Sequence, residues 1–241
     1  MAHPSGDFDY ETHGSGYAYV RQTDERIASL IQQEIGSSQR IINVGAGAGS
    51  YEPLDRIVVA IEPSAQMRSQ RPRALSPAIA CSAEELPFDD KVFDAAMATV
   101  TIHQWADLKR GLQEMRRVTE GVIVLLTFDP IRVPDFWITD YAPELTATES
   151  KRFPTIDLIS ECLGGTTNCK SVPIPFDCVD GFTEAFYGRP ELLLDPKVRS
   201  AQSSWKKAPE GTEELFEHNL TRALKTGEWD SKFGHLRSQE T

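Results

Sequence analysis

Three observations in this sequence predict an α/β domain built on a mostly parallel sheet. Short apolar runs recur at residues 40–44, 57–61, 78–81, 93–98 and 122–127, with helical patterns between several of them. Strands alternating with helices read as a parallel sheet with helices on both faces. The first run breaks at once into Gly45, Gly47 and Gly49, and the second ends on an acid, Glu62. Glycines just past a buried strand let the backbone turn tightly and approach a ligand where a Cβ would clash. Both features belong to the carboxyl edge of the sheet, where such sheets bind ligands.

Taken in order, the chain opens on a polar stretch, and residues 1–6 carry no basic-then-apolar signal pattern. Asp24 caps a helix whose Ile27, Leu30, Ile31 and Ile35 share one face, with Gly36 as its stop. Strand 40–44 and the glycines follow. Seven residues separate Gly49 from Ile57, too few for a helical crossover, so the first connection is a turn or loop. After strand 57–61, Ser64 caps a short helix through Met67. Strands 78–81 and 93–98 come next, then a helix with the stripe Leu108, Leu112 and Met115, then strand 122–127.

From Asp129 onward prolines cut the chain into short pieces and aromatic residues crowd in. Helices are expected near 156–163, stopped by Gly164-Gly165, and near 212–225, stopped by Gly227. Segments 171–176 and 232–237 are expected as the last two strands, giving a seven-stranded sheet with an antiparallel edge. The stretch between them, about fifty residues, is long enough for a helical lid over the substrate.

Length and composition narrow the classes. With 241 residues, 40% of them apolar, the chain buries a full core and reads as one elaborated domain. A net charge of -11 without a basic stripe argues against a nucleic-acid partner. No run approaches a membrane span. The four cysteines, Cys81, Cys162, Cys169 and Cys178, lack Cys-x-x-Cys spacing and suit idle thiols in a reducing cytoplasm. No His or Cys pair has the spacing of a metal site, so none is expected.

The chemistry sits after the first two strands. Gly45, Gly47 and Gly49 form a Gly-x-Gly-x-Gly run, and Glu62 lies seventeen residues beyond Gly45. A carboxylate there is placed to accept both hydroxyls of a ribose. A dinucleotide fingerprint wants its third glycine one position later and a long helix aimed at a pyrophosphate. A nucleoside cofactor without phosphates fits better, and S-adenosyl-L-methionine is the common one.

At this point the chain resembles the class I S-adenosylmethionine-dependent methyltransferases, in the small-molecule type 11 group that includes ubiquinone and menaquinone biosynthesis enzymes. Four segments match in order: residues 42–49; residues 58–67, containing Ile61-Glu62-Pro63-Ser64; Ser82-Ala83-Glu84-Glu85-Leu86-Pro87-Phe88 followed by Phe93-Asp94; and Arg116-Arg117-Val118 before the fifth strand. The match spans residues 15–130 and becomes loose beyond. It implies a Rossmann-like sheet and three parts of a single domain: cap helices at 1–37, a cofactor core at 38–130, and a lid with the last strands at 131–230.

The resemblance also implies roles. Gly45, Ala46 and Gly47 would lie under the methionine part of the cofactor, and Glu62 would hold the ribose. Met67 or Pro63 would border the adenine, and Ser82 and Ala83 would meet its edge. Thr99 and Thr101 would lie beside the sulfonium. Tyr17 and Arg21 resemble an N-terminal pair that grips the cofactor carboxylate, since a guanidinium matches that group in a bidentate way. Two positions depart from the pattern: Asn43 replaces an acid at the end of the first strand, and Ser82 replaces an adenine-binding Asp. His103, just after the fourth strand, would act as a general base or pack on the cofactor. In the lid, Trp137, Tyr141, Phe182, Phe186, Tyr187 and Arg189 either shape an aromatic pocket or form the lid's own core, and Asp140 and Asp180 are possible polar anchors.

The implied function is methyl transfer to an oxygen, nitrogen or carbon nucleophile of a small organic molecule, leaving S-adenosyl-L-homocysteine. The acting unit would be a monomer or homodimer. A nucleotide-dependent oxidoreductase is one alternative. A cofactor-binding scaffold or regulator without transfer is another, kept open by Asn43 and Ser82, as is a relative that turns the bound sulfonium to cyclisation.

Overall fold

Four parallel strands form the sheet, β1 (Arg40–Val44), β2 (Ile57–Ile61), β3 (Phe93–Thr99) and β4 (Thr119–Leu126), in the order β2-β1-β3-β4. The computed structural model describes residues 7–241; residues 1–6, read above for a signal pattern, lie outside it. Alternate strand residues serve opposite faces. Ile42 and Val44 of β1 and Ala96 and Ala98 of β3 pack with Leu112, Met115 and Val118 of the helix Leu108–Val118, and with Ile159. Ile41, Ala95 and Met97 pack the other way, on Ile27, Ala28, Ile31 and Ile35 of the helix Glu25–Ile35. Helices therefore cover both faces, as the apolar stripes predict.

The helices begin and end where local chemistry dictates. Asp24 accepts from the Arg26 amide, Ser64 from Met67, Asp107 from Arg110 and Thr155 from Leu158. Gly227 ends the helix Thr212–Thr226 in a left-handed conformation, φ +75°. The β1–β2 connection holds no helix, in keeping with its length.

The expected seven strands and antiparallel edge are corrected by the structure. Segment 78–81 makes a single parallel bridge, Ile61 to Ile79, just after Pro77. Segment 171–176 is irregular and joins no ladder; Pro173 and Pro175 remove two of the amides a strand needs. Segment 232–237 is helical, divided between the helix Glu228–Phe233 and the 3-10 turn Gly234–Ser238. The fully buried Trp229 draws that segment into an aromatic cluster with Trp137 and Phe233. β4 is consequently a sheet edge among the described residues. It also starts before residue 122, because Thr119 pairs with Phe93 directly after the helix ends at Val118. Gly121 permits this approach, since a Cβ there would stand 2.1 Å from the Asp94 carbonyl oxygen.

Past residue 130 a helical layer builds its own core from Trp137, Tyr141, Leu145, Phe186, Trp205, Phe216, Leu220 and Trp229. Among the described residues no helix is long and apolar enough to cross a membrane.

Candidate active site

From β1 the chain moves outward to β2 on one side, and from β3 to β4 on the other, so the strand order switches between β1 and β3. A crevice opens beyond the carboxyl ends of strands at such a point. Here it is a cavity of about 850 Å³. Gly45, Ala46 and Gly47 line it after β1, Glu62, Pro63 and Met67 after β2, Ser82 and Ala83 from the 78–83 segment, and Thr99 and Thr101 from the tip of β3. Tyr17 and Arg21 close it from the N-terminal side. The structure thus brings together every residue that the sequence pattern assigns to the cofactor.

The glycine loop is held by backbone geometry. The Gly45 and Ala46 amides both donate to the Ile61 carbonyl, at 2.9 and 2.8 Å. Gly45 has φ +71°, and a Cβ there would lie 2.2 Å from Thr101 Oγ1, so only glycine brings β1 this close to the β3 tip. The Glu62 carboxylate is 7% exposed and accepts from the Gly47 and Ser64 amides, each at 2.8 Å. One amide goes to each carboxylate oxygen, which leaves the second lone pair of each oxygen for a pair of hydroxyls. Burial raises the Glu62 pKa, opposed by those two amides. A fixed carboxylate above a close-approaching backbone fits the nucleoside that the sequence implies.

Asn43 is not a cavity residue. Its side-chain amide donates to Glu52 at 2.9 Å, and Glu52 pairs with Arg71 at 2.8 Å. Asn43 thus serves a buried polar network inside the fold rather than the cavity. Ser82 does line the cavity, beside Ala83.

Arg21 is more constrained than its sequence spacing suggests. Its Nε and Nη2 donate to Asp180 at 2.6 and 3.3 Å, and Tyr51 donates its hydroxyl to the same carboxylate at 2.7 Å. Burial works against the Arg21 charge, but Asp180, joined by Tyr17 and Tyr51, more than offsets it and raises the pKa. The bidentate edge expected for a cofactor carboxylate is therefore engaged by Asp180, and Nη1 is the donor outside that pair. Phe8 and Tyr10 complete this side of the cavity, and Asp7 ties the segment down through a two-point pair with Arg152 at 2.6 and 3.1 Å.

His103 lies outside the large cavity, in a smaller chamber of about 40 Å³ that shares Tyr10, Arg21, Val100 and Gln104 with it. Its ring centroid is 4.2 Å from that of Phe153, its Nε2 is 3.3 Å from Gln104 Nε2, and its buried Nδ1 has no hydrogen-bond partner. Burial first, then Arg152 and Arg21, holds its pKa well below the ordinary value, so the ring is neutral. Val100, between the two spaces, holds φ +51°, a strained conformation for a β-branched residue.

Most of the late aromatic residues turn inward. Trp137, Tyr141 and Phe186 belong to the helical layer's core, Trp137 donates to the Tyr187 carbonyl, and Arg189 donates to the Cys178 and Ala185 carbonyls. Phe182 alone of the six expected lid residues reaches the chamber. Asp140 pairs with the surface residue Lys232. The chamber also holds Glu149 and Glu184, which nothing in their local sequence marks.

A methyltransferase-domain family pattern matches residues 42–125. A putative methyltransferase from an antibiotic biosynthesis pathway of Anabaena variabilis superposes with a TM-score of 0.83 at 32% identity, over 92% of this chain and 94% of that one. An uncharacterized protein of Methanocaldococcus jannaschii is 30% identical over 109 residues, covering 44% of this chain and 42% of its own length. The ubiquinone/menaquinone biosynthesis C-methyltransferase UbiE of Citrifermentans bemidjiense is 46% identical over 55 residues, 22% of this chain and 23% of that protein. The chain thus spans less than half the length of these curated relatives. Joined to the glycine loop, Glu62 and the cavity at the switch point, these likenesses place the chain in the class I S-adenosylmethionine-dependent methyltransferase family, type 11 group.

Proposed function

We propose that this chain transfers a methyl group from S-adenosyl-L-methionine to an oxygen, nitrogen or carbon nucleophile of a small organic molecule, leaving S-adenosyl-L-homocysteine. The observation that carries the reading is the large cavity at the switch point, in which Glu62, held by the Gly47 and Ser64 amides, stands over the glycine loop. When bound, the cofactor supplies an electrophilic methyl on a sulfonium. Glu62 takes the ribose hydroxyls, Gly45, Ala46 and Gly47 pass beneath the amino-acid tail, and Arg21 Nη1 with Tyr17 meets its carboxylate. Met67 and Pro63 border the adenine, and Ser82 and Ala83 meet its edge. Thr99 and Thr101 border the sulfonium.

The acceptor approaches from the chamber at the β3 tip, in whose wall His103 stands. The burial that keeps its ring neutral also makes it a weak base. Alignment and exclusion of water therefore supply most of the acceleration. The helical layer, within residues 131–230 of a single domain, acts as the cover. The net charge of -11 supports a small-molecule partner over nucleic acid. We assign the chain to the cytoplasm and to a monomer or homodimer.

Calorimetric titration with S-adenosylmethionine, S-adenosylhomocysteine and NADH tests the reading. Micromolar binding of the first two, lost in Glu62→Ala, with NADH silent, is the expected result. Binding of NADH alone, or of none of the three, overturns it.

A further inference from the structure

The smaller chamber has an unbalanced charge. Arg21, in its wall, and Arg152, whose charge reaches His103 from behind it, are matched by Asp180 and Asp7 respectively. Glu149 shares Arg152, while Glu184 has no ion-pair partner among the described residues. One carboxyl group, Glu184, is thus left without a cation, and Glu149 holds only a shared one, in a chamber also lined by Phe128, Phe153 and Phe182. Burial pushes Glu184 up to about 7, with Glu149 adding to the rise and Arg21 opposing it. Glu149 is raised by burial as well. Independently of the acids, the buried His103 Nδ1 in the same chamber has no partner.

We propose that the methyl acceptor is an amine, bound in this chamber with its nitrogen against Glu184 and Glu149 and its first carbons against Phe153 and Phe182. The inference rests on the methyltransferase reading above and names its substrate class. An ammonium group answers the excess of carboxylates and is attracted to aromatic faces. A carboxylate acceptor is repelled by the same groups, and an alcohol leaves their charge unmatched. The chamber volume of about 40 Å³ takes an amino group and its nearest carbons. Its shared wall at Val100 sets the nitrogen beside the Thr99–Thr101 edge of the large cavity.

The transfer balances without any further reagent. The bound ammonium gives one proton to the Glu184 carboxylate, which frees the nitrogen lone pair. That pair forms the new bond to the methyl carbon as the carbon–sulfur bond breaks, and sulfur keeps the electrons of the broken bond. The products are an N-methylammonium, a thioether and a protonated Glu184, which later returns its proton to water. A carboxyl that titrates near neutrality is matched to this exchange.

The test uses the full chain saturated with S-adenosylhomocysteine. n-Butylamine, n-butanol and n-butyrate are titrated in, and binding is followed with the Glu184 side-chain carboxyl resonance by carbon NMR. Butylamine is expected to bind at least about tenfold tighter than the other two and to lower the Glu184 titration midpoint. Glu184→Gln and Glu149→Gln are each expected to weaken the amine about tenfold while leaving S-adenosylhomocysteine affinity within about twofold, which also shows that they fold. Equal or better binding of butanol or butyrate, no binding of the amine, or amine affinity indifferent to both substitutions overturns the assignment. A wild-type chain that fails to bind S-adenosylhomocysteine overturns the cofactor reading itself, and this inference falls with it.

Discussion

Replacing Glu184 with glutamine is expected to stabilise the protein above neutral pH and to leave it unchanged in acid. Burial lifts this carboxyl from 4.5 to about 7. Between those values the folded protein holds a proton that the unfolded chain releases. The contribution of this group to stability is therefore greatest below pH 4.5, falls as the pH climbs to about 7, and is constant above it. The interval from 4.5 to about 7, at about 1.4 kcal/mol per pH unit, amounts to about 3 kcal/mol. Glutamine keeps the shape without the charge, so the variant escapes this loss. Urea unfolding of wild type and Glu184→Gln at pH 4.5 and pH 8, with equal m-values, isolates the group. An advantage of about 3 kcal/mol for the variant at pH 8 and near zero at pH 4.5 is expected. A variant no more stable than wild type at pH 8, or equally offset at both, refutes the reasoning.

Two further substitutions test the walls of the site. Gly45→Ala forces alanine to φ +71° and a Cβ to 2.2 Å from Thr101 Oγ1, so urea unfolding should show a loss of at least about 1–2 kcal/mol with weakened S-adenosylhomocysteine binding. Adding Thr101→Ala should recover part of the steric loss and none of the backbone strain; full recovery contradicts the account. Asp180→Ala leaves Arg21, whose side chain is 10% exposed, without its countercharge and Tyr51 without its acceptor. Chemical denaturation should register a loss of about 3–5 kcal/mol, and one below about 1 kcal/mol would show the pair to be incidental.

The core was legible because its signals are local. Asp24 and Ser64 cap their own helices within three residues, and the apolar stripes name the buried faces. The meeting of the glycine loop and Glu62 at one cavity was legible through their spacing, which the strand geometry converts into proximity. The last strands were misread because an apolar run with prolines at 173 and 175 still looks extended, yet it lacks the amides for a ladder. Trp229 likewise fixes its segment by tertiary packing that no periodicity displays. Arg21 and Asp180 are 159 residues apart, so their pairing leaves no trace in either local sequence. Glu149 and Glu184 acquire their character only from the rings that the fold places around them.

The most direct test of the central claim is the crystal structure of the chain with S-adenosylhomocysteine bound. The account predicts both ribose hydroxyls within hydrogen-bond distance of the two Glu62 oxygens, the tail over Gly45–Gly47, and the sulfur beside Thr99 and Thr101, pointing to the chamber of His103 and Glu184. A ligand bound elsewhere, or its ribose turned away from Glu62, would contradict it.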